Sequence, residues 1–186
     1  MDIAILPFEL PVEVQKRISG ITPIFRQSQS ADRAKLRDLG VTEGDHLFVL
    51  GFPISLFAGA SLASDLFPAG QNVVFVRQGI VARIRDTLAG ISNRFLIDAF
   101  VFPGNSGGPV ILQPENMAVQ GTKPQDAPYL IGVVAAYLPY QDFAVSSQTN
   151  KAKLLEEQNS GLAVVIPMDF VNETIDQYNQ AKQPQK

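Results

Sequence analysis

The chain has 186 residues, 46% of them apolar and 18% charged, with a formal charge of −3, one His and no Cys. This length and composition suit a folded chain with one ordinary core or two small ones. Without Cys there is no disulfide scaffold, thiol catalysis or Cys-based metal site, and without a Lys/Arg run, GxxxxGK or GxGxxG neither nucleic acid nor a nucleotide is an expected partner.

Pro and Gly (13 and 14 residues) punctuate short apolar runs, the pattern of an all-β domain with loops. The chain opens with a predicted strand at Ile3–Phe8. A helix follows over Ser30–Leu39, with Ser30 placed to cap its start and Gly40 to stop it. Further strands are predicted at His46–Gly51, Val73–Ile84, Phe95–Val101, Pro109–Leu112, Tyr129–Tyr137 and Leu162–Ile166. Several are apolar throughout ("VVFV", "LIGVVAAY", "LAVVIP"), which fits strands buried on both faces or closing a small barrel. Residues 54–70, 113–128 and 138–160 read as loops, the last with a helical turn or two around residues 150–158. A C-terminal helix over residues 168–180 follows Pro167 and aligns Val171, Ile175 and Tyr178 on one face. No window of about 18 uncharged apolar residues is present, so no membrane span is expected. Nor does a basic stretch followed by an apolar run open the chain.

The stretch "PGNSGGPV" carries the chemistry. A serine hydroxyl is a poor nucleophile unless a base takes its proton and donors stabilise the oxyanion. Glycines on both sides of Ser106 permit a tight bend, in which the N–H groups of Gly104 and Ser106 can converge on one point. Taken only as a Gly-rich turn, the same residues are a β-turn with a spectator serine.

The full hexapeptide Gly104-Asn105-Ser106-Gly107-Gly108-Pro109 resembles the nucleophile loop of the chymotrypsin-fold (trypsin-like) serine proteases, of the bacterial and HtrA-like kind. Other segments follow the family in order: "DIAIL" its aspartate strand, "GDHLFVLGFP" and "VRQGIVARI" the first strands of its second barrel. "YLIGVVAAY" resembles the strand lining the substrate cleft, and "GLAVVIPMDFV" the last strand and C-terminal helix. The resemblance implies an all-β chain: one strand of a first barrel with an inter-barrel linker over residues 1–43, a six-stranded second barrel over residues 44–167, and a helix with its tail over residues 168–186. It implies a serine endopeptidase working through an acyl-enzyme on a polypeptide held in extended form, without cofactor or metal. Ser106 is then the nucleophile, Gly104 and Ser106 the oxyanion hole, and Asp2 the residue that orients the histidine. Outside that context Asp2 is an ordinary solvated acid.

The family's histidine precedes the aspartate by tens of residues, and here a single residue precedes it. The expectation is a chain given in N-terminally shortened form, its catalytic histidine lying elsewhere. His46, after Gly-Asp at the mouth of a strand, reads as a strand-edge residue rather than the base. By position, the resemblance places the primary specificity pocket at Phe100, Ala135, Ala136, Tyr137, Gly161 and Ala163. Its apolar lining, without a carboxylate at Phe100, implies preference for small or medium apolar side chains; the competing reading makes Phe100 and Tyr137 core residues. Residues 54–70 are a regulatory loop by resemblance, or a packed surface loop. The alternative for the whole chain is an inactive peptide-binding or interaction module derived from this fold.

Overall fold

A computed structural model of the chain describes residues 3–6, 11–13, 27–52, 74–114 and 121–182. Six antiparallel strands form a closed barrel: β1 (His46–Gly51), β2 (Phe75–Arg83), β3 (Phe95–Asp98), β4 (Pro109–Leu112), β5 (Tyr129–Val145) and β6 (Ala152–Pro167). Around the ring the order is β1-β2-β3-β6-β5-β4, and β1 returns to β4 through Leu47 opposite Leu112 and Val49 opposite Val110. Closure leaves the barrel proper without an unpaired edge.

Alternation along the strands fills the interior. Leu47 and Val49 of β1, Phe95 and Ile97 of β3, and Ala163 and Val165 of β6 are all buried, with Val110 and Ile131 beside them in one core. Helices cover parts of the outside, which explains the runs apolar on both faces. α1 (Arg33–Leu39) sends Leu36 into the core, and α3 (Met168–Ala181) packs on β5 and β6, where Val165 through Met168 are consecutively buried. A short helix, α2 (Arg85–Leu88), follows β2.

Asp32 caps α1, not Ser30: its carboxylate accepts the Lys35 N–H at 2.8 Å, because the helix starts at Arg33. Ser30 is instead drawn into a bridge with Leu130, and the Ala31 N–H donates to the Leu130 carbonyl at 2.9 Å. Gly40 ends the helix at φ +73°, as predicted. Arg33 ties α1 to α3, its Nε 3.0 Å from Asp169 Oδ1 and its backbone N–H donating to Oδ2 at 2.9 Å.

The bounds of β1 and β4 match those read from the sequence, while β2 and β3 are shorter. Residues 3–6 belong to no strand, contrary to expectation, and the remainder of that predicted strand lies outside the described residues, as do residues 54–70. The largest difference lies at residues 138–160. Instead of a loop with a helical turn, β5 and β6 continue as a paired hairpin out to Val145 opposite Ala152. Cross-strand hydrogen bonding shapes this stretch without any buried face, so no apolar periodicity announces it. No helix among the described residues is long and apolar enough to cross a membrane.

Candidate functional site

The β3–β4 connection holds the turn that carries Ser106. Asn105, fully buried, organises it: its N–H donates to the Phe102 carbonyl at 2.9 Å, and its Oδ1 accepts the Phe102 N–H at 3.3 Å. The Gly108 N–H closes the next turn on the Asn105 carbonyl at 2.9 Å. Two bonds fasten this unit to β5, from the Gly107 N–H to the Val134 carbonyl at 2.8 Å and from the Val134 N–H to the Gly108 carbonyl at 2.9 Å. Gly104 and Gly107 stand at φ +99° and +81°, backbone that residues with a Cβ resist.

This framework leaves Ser106 exposed. Its hydroxyl donates to the Ala135 carbonyl at 3.2 Å. The N–H groups of Gly104 and Ser106 donate to no backbone carbonyl among the described residues, whereas those of Asn105, Gly107 and Gly108 all do. Ser106 lies on the wall of two cavities. One, of about 370 Å³, is lined by Leu50, Phe52, Val74 and the turn itself. The other, of about 440 Å³, is lined by Ile3–Ile5, Ala135, Ala136 and Val171 among others.

Asp2 lies outside the described residues, although Ile3, the next residue in the chain, lines the second cavity with Ser106. His46 begins β1, and it is Gly51, at the other end of that strand, that adjoins Asn105. Five residue steps at about 3.3 Å separate His46 from Gly51, roughly 17 Å along the strand. The single histidine of this sequence is therefore out of reach of the Ser106 hydroxyl.

Of the predicted specificity residues, Ala135 and Ala136 line the second cavity with Ser106. Phe100 is half-exposed, its ring 6.2 Å from that of Phe102 and stacked near Gly161, where a Cβ would stand 3.4 Å from Phe100 Cε2. Ala163 is fully buried in the barrel core. Tyr137 packs against the core and donates its hydroxyl hydrogen bond to Glu157. That bond raises the Tyr137 pKa and lowers that of Glu157, whose carboxylate also accepts from Gln141.

Two neighbours of the site were not singled out from the sequence. Arg77 of β2 lays its guanidinium 5.0 Å from the centre of the Phe102 ring, at the base of the turn. Gly51 makes room for Asn105. The glycine ending the "FVLG" run was the one available signal. No protein-family model, curated protein or solved structure matches the chain.

Proposed function

We propose that this chain carries the nucleophile half of a trypsin-like serine endopeptidase. Ser106 Oγ attacks the carbonyl carbon of a peptide bond while its proton passes to a histidine carried outside these 186 residues and oriented by Asp2. The carbonyl oxygen becomes an oxyanion that the N–H groups of Gly104 and Ser106 stabilise. Collapse expels the amine, which takes the proton, and leaves an acyl ester on Ser106 that water then hydrolyses. One observation carries the reading: an exposed serine at a turn where its own N–H and that of Gly104 have no backbone acceptor among the described residues, while the N–H groups of Asn105, Gly107 and Gly108 are engaged. The substrate lies extended along Ala135–Tyr137, with a small or medium apolar side chain before the cleaved bond.

A second reading, a peptide-binding module without catalysis, is favoured by the partner that Ser106 has, a carbonyl, and by the distance of His46. A fluorophosphonate probe separates the two. Labelling of this chain that Ser106→Ala abolishes supports the peptidase reading. Absence of labelling, even after addition of the polypeptide that carries the histidine, sinks it. A peptide library in which basic residues were preferred before the cleaved bond would overturn the proposed specificity.

A further inference from the structure

Beyond the barrel, β5 and β6 continue as a two-stranded arm, paired from Pro139 opposite Asn159 to Val145 opposite Ala152. No other strand joins it among the described residues: the ladder of β4 on β5 stops at Val133, and that of β3 on β6 stops at Leu162. Both faces and both edges are open to solvent. Tyr140, Phe143, Val145, Leu154 and Leu155 are each 53 to 61% exposed, an apolar load that a monomer does not ordinarily carry on one projection. A two-stranded ribbon is at best marginally stable alone, and its free edges invite pairing.

Charge is distributed along the arm in one direction. Lys151 and Lys153 sit at the tip, and Asp142, Glu156 and Glu157 at the stem. Between them lies the directly opposed apolar pair Phe143–Leu155. Glu157, opposite Gln141, shares the face of Phe143–Leu155, whereas the like-charge pair Asp142–Glu156 lies on the other face.

We infer that the arm is a self-association surface on which a second copy of the chain docks its own arm antiparallel, centred on Phe143–Leu155. A two-fold interface must be complementary to itself, and this pattern is. Lys153 and Glu157 lie two residues on either side of Leu155, each about 7 Å away along the strand. Rotation about the central pair thus brings each tip against the other stem, lysine to carboxylate, while the apolar pairs cover each other. From Pro139 to Val145 the arm spans about 20 Å, so it buries well under the roughly 800 Å² per partner of a standard interface. The dimer is accordingly weak, dissociating in the micromolar range.

Sedimentation velocity from about 1 to 200 µM tests this on the full chain and two variants, Lys151→Glu/Lys153→Glu and Glu156→Lys/Glu157→Lys. All four side chains are exposed, so far-UV circular dichroism should report an unchanged fold. The wild type is expected to dimerise, and each variant to raise its Kd at least about tenfold. An equimolar mixture of the variants should regain wild-type association, since each reversed tip then meets a reversed stem. A wild type that stays monomeric throughout the range, as it would if the arm served a different partner, overturns the inference. So does a variant that dimerises as well as the wild type, or a mixture that remains monomeric.

Discussion

Gly51 and Asn105 occupy adjoining space so closely that a Cβ on Gly51 would stand 2.4 Å from Asn105 Nδ2 and 3.2 Å from its Cα. The end of β1 is thus a wall against which the Ser106 turn is built. Gly51→Ala is expected to cost about 1–3 kcal/mol by overpacking, read as a lower denaturant midpoint. A midpoint equal to that of the wild type would show that the turn can move aside freely.

Neighbouring glycines in the same turn should separate cleanly. A Cβ on Gly107 meets nothing within 4 Å, so Gly107→Ala carries only the strain of φ +81°, about 1–2 kcal/mol. A Cβ on Gly108 would lie 2.2 Å from the Leu50 carbonyl oxygen, and backbone must move to admit it. Gly108→Ala is expected to destabilise by more than about 2 kcal/mol and to exceed Gly107→Ala in thermal melts. The reverse order would contradict the close approach of β1 to the turn.

Glu43 gives the fold an acid-sensitive joint. Its carboxylate accepts from Arg85 Nε and Nη2, each at 3.0 Å, and from the Ile84 and Arg85 N–H groups at 3.1 and 3.3 Å. The Arg85 guanidinium, offset in part by burial and helped by these amides, holds the Glu43 pKa well below the usual carboxylate range. In the acid window the folded chain therefore binds fewer protons at Glu43 than the unfolded chain does. The resulting stabilisation is complete above the ordinary carboxylate pKa and is lost as pH falls below it. Glu43→Gln should be less stable than wild type at pH 7, and the two should converge as the solution is acidified. Urea midpoints from about pH 7 to 2 check the sign; a difference that widened in acid would refute it.

The barrel core should behave as a packed unit. Phe95, 1% exposed, is a large fully buried side chain of β3, and Phe95→Ala is expected to cost about 3–5 kcal/mol. Ile91, 80% exposed, provides the contrast, with Ile91→Ala remaining within about 0.5 kcal/mol of wild type. Chemical denaturation of both variants makes the comparison.

The parts of this architecture legible in the sequence are those with one buried side or a demanding turn. β1 and β4 are bracketed by Gly-Asp, Gly and Gly-Pro, and their apolar residues enter the core; the αL stop at Gly40 was equally plain. The glycines about Ser106 announced a tight turn because two of them hold positive φ. What stayed hidden depends on partners distant in sequence. Asp32 displaced Ser30 as the helix cap because Ser30 is engaged by Leu130, a hundred residues away. The arm escaped notice because Gln141, Asp142, Glu156 and Glu157 alternate with nothing buried, and pairing rather than burial shapes it.

Barrel closure also sets an order of events for a chain emerging from a ribosome. Two seams shut the ring: β1 on β4, where Leu47 and Leu112 lie 65 positions apart, and β3 on β6, where Phe95 and Val165 lie 70 apart. Loop-closure entropy makes such seams late, while the β5–β6 hairpin is local and fast. The residues of the Ser106 turn are synthesised well before β5 exists to fasten them, and before β6 exists to join β5 to β3. Ser106 is made before the strands that hold its turn, and that frame is finished last.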